Sequence, residues 1–249
     1  MLLQAHRGVS TEFPENTIPA FQAAYEQGYA IIELDPKFTK DGKCVTLHDY
    51  TLNRTCRTLA GEPLSDAVNI GDVTYEELSA YDAGIFMGEA FRGTKIPLLT
   101  EALAYGKQVG IPMKIDNVFA RYPETLQEQL FDEVEAYGGE VGFTCGDLET
   151  VKRVVARFPD KEIHYDGPVD EEKLLAVKAA LRNNPLTIWV PMKNELTHWV
   201  KIPFADEALC AMVKRHARLG LWILEKAEQL AEAERLGADI VETTGSLKP

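Results

Sequence analysis

The 249-residue chain contains no apolar run approaching ~18 residues, so no membrane-spanning helix is encoded. No charged segment followed by an apolar one precedes the first strand, so export is not expected. Cysteine is scarce: Cys44, Cys56, Cys145 and Cys210 lie far apart with no CxxC, which argues against a zinc site and a disulfide framework. A reducing, cytoplasmic setting is the expectation. Positive charge is also short, with 26 Lys and Arg against 39 Asp and Glu and a formal charge of −13. A nucleic-acid or anionic-membrane surface needs a basic footprint, so the charge argues against both. No Gly-rich dinucleotide fingerprint follows the first strand.

What the chain does have is enough apolar sequence, 45%, for a proper core, and a regular alternation of strands and helices. Residues 1–5 read as a strand ending in His6-Arg7-Gly8. A helix follows around Ala20–Tyr25, with Asn16 as its expected cap and Gly28 closing it. From residue 100 onward, helices are expected over 100–109, 126–137, 147–158, 170–183, 206–218 and 227–236. Strands are expected over 111–116, 141–144, 162–166, 186–190, 221–224 and 239–242. With the first two strands the count reaches eight, the arithmetic of an α/β TIM (β/α)8 barrel spanning 1–249 as a single catalytic domain. A doubly wound open sheet is the second architecture. Residues 49–95 break the alternation with turn-rich sequence. They read as an insertion after the second-strand hairpin, with a short capped helix over 74–78.

The stretch from Ile31 to His48 carries the most chemistry. Ile31, Ile32 and Leu34 mark an apolar strand, Asp41-Gly42 is a turn dipeptide, and Cys44–Leu47 returns. A two-residue loop at Asp41-Gly42 sets Thr39 against Cys44 and Asp35 against His48. Side chains alternate along a strand, so Glu33 and Asp35 share a face, and two carboxylates meet an imidazole. Two such carboxylates repel unless a divalent cation lies between them. A solvated edge hairpin with a polar face fits this stretch equally well on its own. The apolar flank weighs against it, because buried carboxylates need a partner.

In a barrel, strand C-terminal ends share one mouth. There Glu33, Asp35 and Asp116 would offer oxygen-only ligation suited to Mg²⁺ or Ca²⁺. His6 and His48 would flank them as an acid–base pair, and Arg7 would hold phosphate. Other candidates at this mouth are Lys114, Asp166, Trp189, Trp222 and Glu242. Metal, arginine and two histidines together point to phosphoryl transfer or phosphodiester cleavage.

The chain resembles the glycerophosphodiester phosphodiesterase family in ordered motifs over its first hundred residues. These are Ala5-His6-Arg7-Gly8, Pro14-Glu15-Asn16-Thr17 with Ala20-Phe21, Glu33-Leu34-Asp35, Thr39-Lys40-Asp41-Gly42, His48-Asp49 with Thr51-Leu52 and Arg54-Thr55, and Ile96-Pro97-Leu98. The resemblance implies a TIM barrel that hydrolyses a glycerophosphodiester, its small-molecule partner, to glycerol 3-phosphate and an alcohol. It implies Glu33 and Asp35 as metal ligands, His6 and His48 as general base and acid, and Arg7 on the phosphate. It also implies attack by the substrate's own glycerol hydroxyl through a cyclic phosphate, which accounts for the lack of a serine or cysteine nucleophile.

The chain departs from the family pattern on the third strand. Lys114-Ile115-Asp116-Asn117-Val118 places Asp116 where the family has glutamate and Val118 where it has lysine. Lys114 shares a strand face with Asp116 and is a candidate to return that charge; an ion-paired strand lysine is an equal reading. Trp222-Ile223-Leu224-Glu225 and Glu242-Thr243 also depart, with Trp222 a candidate wall of the glycerol pocket or a core residue. The rivals are a lyase that stops at the cyclic phosphate, a non-catalytic barrel binding a phosphorylated ligand, and a sugar-phosphate isomerase or aldolase using Lys114. A homo-oligomer is left open.

Overall fold

A computed structural model describes all of residues 1–249. Eight parallel strands close into a barrel: β1 (Leu2–Ala5), β2 (Ile31–Leu34), β3 (Met113–Ile115), β4 (Val141–Cys145), β5 (Ile163–Tyr165), β6 (Leu186–Pro191), β7 (Arg218–Trp222) and β8 (Ile240–Thr243). Each pairs with the next in chain order, and β8 returns to β1 with Ala5 beside Thr243. The helices are α1 (Ile18–Glu26), α2 (Leu99–Val109), α3 (Glu124–Tyr137), α4 (Leu148–Arg157), α5 (Glu171–Ala180), α6 (Glu207–Lys214) and α7 (Ala227–Arg235).

Helix α4 shows how the outer layer forms. The Asp147 carboxylate accepts from the Thr150 N–H, 2.8 Å away, and caps the first turn. Val151, Val154 and Val155 then recur at helical spacing and are fully or almost fully buried. Each stabilises the fold by roughly 1.5–3 kcal/mol on burial. Such stripes meet the outer face of the barrel in one cluster of 45 buried residues. The strands are therefore covered on both sides, and Val141–Cys145 is buried at every position.

The barrel interior is different, because it is partly polar. Ile31, Trp189 and Ile240 pack together in its apolar part. Above them the Lys114 ammonium donates to Glu242 at 3.2 Å and stands 4.0 Å from the Trp189 ring centre, while Gln4 donates to the same carboxylate. Gly220 on β7 lies under that tryptophan; a Cβ there would approach the ring to 2.6 Å.

Three local expectations are corrected. The hairpin arms are Pro36–Phe38 and Cys44–Thr46, with Phe38 facing Cys44. Thr39 and Lys43 close a three-residue loop, Lys40-Asp41-Gly42, with Gly42 at φ 75°. Asp35 therefore faces Leu47, whose N–H donates to the Asp35 carbonyl, and His48 falls one residue beyond. The Thr39 hydroxyl accepts from the Lys43 N–H at 2.9 Å and favours this longer loop over the two-residue turn. Asn16 does not cap α1. Thr17 holds the cap position without a side-chain bond, and Asn16 turns toward the site. The helix expected over 206–218 ends at Lys214, and β7 begins at Arg218. Arg218 donates to Thr187 at 3.0 Å and to Glu162 at 2.6 Å, which ties it to the neighbouring strands.

Residues between the hairpin and α2 build a small elaboration with its own core, including Val45, Leu47, Leu52, Ile70, Leu78 and Ile96. Its expected short helix is a 3₁₀ turn, Glu77–Ala80. The turn is preceded by a reciprocal cap in which Thr74 Oγ1 accepts from the Glu77 N–H and Glu77 accepts from the Thr74 N–H.

Candidate active site

A cleft of about 610 Å³ opens at the C-terminal mouth of the barrel. The backbone carries the strand pairing one residue past each edge, and so points the functional side chains into it. The His6 N–H donates to the Thr243 carbonyl at 2.9 Å and the Asp116 N–H to the Leu34 carbonyl at 2.9 Å. All eight residues expected to form the site, His6, Arg7, Glu33, Asp35, His48, Lys114, Asp116 and Trp222, line this cleft.

One oxygen each from Glu33, Asp35 and Asp116 lies within 4.8 Å of the others. Burial and the neighbouring Asp35 raise the Glu33 pKa well above its usual value, and burial with Asp35 also raises Asp116. Burial opposes ionisation of Asp35 too, but Arg7, then His48 and Lys37, outweigh it and hold that carboxyl low. Fully ionised, the three carboxylates would carry more negative charge than their protein neighbours neutralise. Hard oxygen donors with an unmet need for positive charge fit a divalent cation.

Asn16 orders this cluster from behind. Its amide donates to Asp35 Oδ2 at 2.7 Å, and its carbonyl oxygen accepts from the Asp35 N–H at 3.1 Å. Arg7 and Asn16 both adopt left-handed backbone, φ 61° and 57°, in the turn between β1 and α1. The Arg7 N–H donates to Glu33 at 3.0 Å, and its guanidinium reaches Glu15 at 3.1 Å and Asp35 at 3.3 Å. Burial works against that charge, but Asp35, Glu15 and Glu33 together keep it firmly protonated.

The two histidines sit in unlike surroundings. His6 Nε2 lies 4.0 Å from Glu33, and His6 Nδ1 is buried without a partner. Burial first, then Arg7, depresses its pKa well below 6.5, so the ring is neutral. His48 is on the rim, its side chain 42% exposed, with Nδ1 2.6 Å from Asp49. Asp49 accepts from Arg54 at 2.7 Å, and Arg54 reaches Glu15 at 2.6 Å, which returns to Arg7. A continuous chain of contacts through Asp49, Arg54 and Glu15 therefore links His48 to Arg7.

Lys114 is present but engaged with Glu242. Burial opposes its charge, and Glu242 followed by Glu33 outweighs burial. Val118, at the family lysine's place, lines the cleft as a buried side chain. Lys37 is a cation that sequence reasoning missed. It donates to the Leu47 carbonyl at 3.1 Å and lines the same cleft. Glu15, Asp49 and Arg54 were visible only as motif letters and Asn16 as a helix cap, and their roles here depend on contacts across the β1–α1 turn and the insertion. Across the mouth, Trp222 approaches Trp199 with ring centres 6.3 Å apart. Burial pushes the Asp166 carboxyl up to about 8, against the pull of Lys114.

Residues 6–165 match the model of the glycerophosphoryl diester phosphodiesterase family. A glycerophosphodiester phosphodiesterase of Caldanaerobacter subterraneus subsp. tengcongensis is 40% identical over 245 residues, covering 96% of this chain and 91% of that protein. Another from Bacillus altitudinis is 36% identical over 136 residues, covering 53% and 52%. Among solved structures, an Oleispira antarctica phosphodiesterase in complex with the product sn-glycerol-3-phosphate superposes with a TM-score of 0.77. It is 20% identical and covers 99% of this chain and 94% of that one. A Thermotoga maritima glycerophosphodiester phosphodiesterase gives 0.66 at 22% identity, covering 99% and 95%.

The barrel, with its acid cluster, arginine and histidines at one mouth, is that of a phosphoric diester hydrolase. The chain belongs to the glycerophosphoryl diester phosphodiesterase family, and glycerophosphodiesters are its substrate class.

Proposed function

We propose that the chain hydrolyses glycerophosphodiesters to glycerol 3-phosphate and an alcohol by a metal-dependent, two-histidine mechanism. The observation that carries this is the convergence of His6, Arg7, Glu33, Asp35, Asp116 and His48 on one cleft. Glu33, Asp35 and Asp116 would hold Mg²⁺ or Ca²⁺, which supplies positive charge against the phosphate oxygens. Arg7 binds the phosphate, its guanidinium already aimed by Glu15 and Asp35. Neutral His6 takes the proton from the substrate's own glycerol hydroxyl as that oxygen bonds to phosphorus. The P–O bond to the alcohol breaks, and His48, oriented through Asp49, gives the departing oxygen its proton. Water then opens the cyclic phosphate with the two histidines exchanging roles, which leaves glycerol 3-phosphate.

Lys114 acts in this scheme as a deeper positive charge paired with Glu242, and Trp222 walls the pocket. The four cysteines are free and buried, as suits the cytoplasmic setting proposed here. No helix is long and apolar enough to cross a membrane.

The test is release of glycerol 3-phosphate from glycerophosphocholine and glycerophosphoethanolamine with Mg²⁺ or Ca²⁺, and with chelator. His6→Ala and His48→Ala are each expected to lower kcat by about 10²–10⁴-fold. Release untouched by chelator or by either substitution refutes the mechanism. Accumulated cyclic phosphate in place of glycerol 3-phosphate makes the chain a cyclising lyase.

A further inference from the structure

Five lysine and arginine side chains line the cleft: Arg7, Lys37, Lys114, Arg121 and Lys201. Arg121 and Lys201 are exposed. Arg7 is ion-paired with Glu15 and Asp35, and Lys114 with Glu242. Lys37 differs from all four. It is 1% exposed, as deeply set as Glu33 and Asp35, and its one hydrogen bond runs to a neutral acceptor, the Leu47 carbonyl, at 3.1 Å. The ammonium also stands 5.1 Å from the centre of the Tyr50 ring.

An ammonium carries three N–H donors, so two remain for another acceptor. A buried charge with no opposite charge in contact is costly, and an anion entering the cleft would answer it. Burial pulls the Lys37 pKa below its ordinary 10.5, while Asp35 and then Asp116 oppose that pull without forming an ion pair. The position of the ammonium indicates which anion it meets. Glu33, Asp35 and Lys37 follow one another at two-residue intervals, and all three line the cleft. Leu47 is held twice, because its N–H donates to the Asp35 carbonyl and its carbonyl accepts from Lys37. The next residue is His48. The ammonium therefore sits between the carboxylates proposed to hold the metal and the histidine proposed as the acid. A phosphodiester that presents its leaving oxygen to His48 occupies the same interval.

We propose that Lys37 is a further catalytic residue, whose ammonium donates to a phosphate oxygen of the bound diester and stabilises the negative charge that oxygen gains as the glycerol hydroxyl attacks. The inference rests on the phosphodiesterase reading above. Lys37 comes from the hairpin arm Pro36–Phe38 and is distinct from the family's third-strand lysine, whose place Val118 takes. The competing role is structural: Lys37 would only hold the Leu47 carbonyl, and through it His48.

The test follows initial alcohol release from the choline and p-nitrophenyl diesters of glycerol phosphate in the parent, Lys37→Met and His48→Ala enzymes. The p-nitrophenolate leaves without a proton, whereas choline needs one from His48. Lys37→Met is expected to lower kcat/KM by about 10²–10³-fold on both esters, the two losses agreeing within about threefold. His48→Ala is expected to lose far more on the choline ester than on the p-nitrophenyl ester. A Lys37→Met defect that fades on the p-nitrophenyl ester as the His48→Ala defect does overturns the proposal, because the ammonium then only positions the histidine. A loss under about threefold on both esters overturns it as well.

Calorimetric binding of glycerol 3-phosphate in Mg²⁺ buffer is expected to be about 10–100-fold weaker in Lys37→Met. Lys37→Gln keeps an N–H for the Leu47 carbonyl without the charge and repeats both measurements, and thermal melts show that each variant is folded. If the parent cleaves neither ester, the phosphodiesterase reading falls and binding still decides the lysine contact. Affinity for glycerol 3-phosphate that is equal in parent and variants, or absent in the parent, rejects it.

Discussion

Asn16 adopts a backbone conformation that few side chains tolerate, φ 57°, and in exchange clasps Asp35 with two hydrogen bonds. It fixes the orientation of a carboxylate proposed above as a metal ligand, without touching the ion itself. Asn16→Ala is expected to weaken Ca²⁺ or Mg²⁺ binding by about 10–100-fold, as read by calorimetric titration. Asp49 does the same for His48. Burial raises its pKa, but Arg54 and His48 prevail and hold it near 2. Because that value lies below the ordinary 3.8, the pairing stabilises the fold above pH 4 and is lost as pH falls toward 2. Asp49→Asn is expected to lower kcat by about 10²-fold with little change in KM, and to remove this part of the acid-unfolding transition; a kinetic pH profile and acid melts check both.

At the scale of elements, two glycines with similar dihedrals make a contrast. Gly8, φ 79°, ends the His6-Arg7 turn where it meets α1, and an added Cβ would lie 2.7 Å from Ala20 backbone atoms. Gly42, φ 75°, closes the hairpin loop with its nearest neighbour at 3.8 Å. Gly8→Ala is expected to separate turn from helix, lowering stability by about 3 kcal/mol and abolishing most activity. Gly42→Ala carries only the backbone penalty, about 1 kcal/mol, and should leave kcat near that of the parent enzyme. Denaturant melts and turnover on the same preparations separate the two.

Over the whole molecule, the charge of −13 and the acid cluster act in the same direction, because both favour binding of a cation by the folded chain. A cation that binds the folded chain at about 100 times its Kd stabilises it by roughly 2.7 kcal/mol. For a chain of this length that is a rise in Tm of about 5–10 °C. Chelator should reverse the rise, and Asp35→Asn should abolish it. A Tm indifferent to both ions and to chelator would count against the metal site, whatever the activity.

The eight-strand count, the outer helices, and the His6-Arg7, Glu33-x-Asp35 and His48-Asp49 pairs are legible in the chain alone, since hydrophobic period and neighbour spacing are local properties. The hairpin shows where local reading stops: the Thr39 side chain bonds Lys43 and lengthens the loop, moving every facing pair by one. Asn16 reads as a helix cap because cap residues and αL residues share the same short polar side chains. Folding in three dimensions is what turns it to Asp35, and what pairs Lys114 with Glu242, 128 residues away. It alone brought Asp166 and Trp222 together, for barrel closure sets strand ends face to face across a distance that no sequence interval encodes.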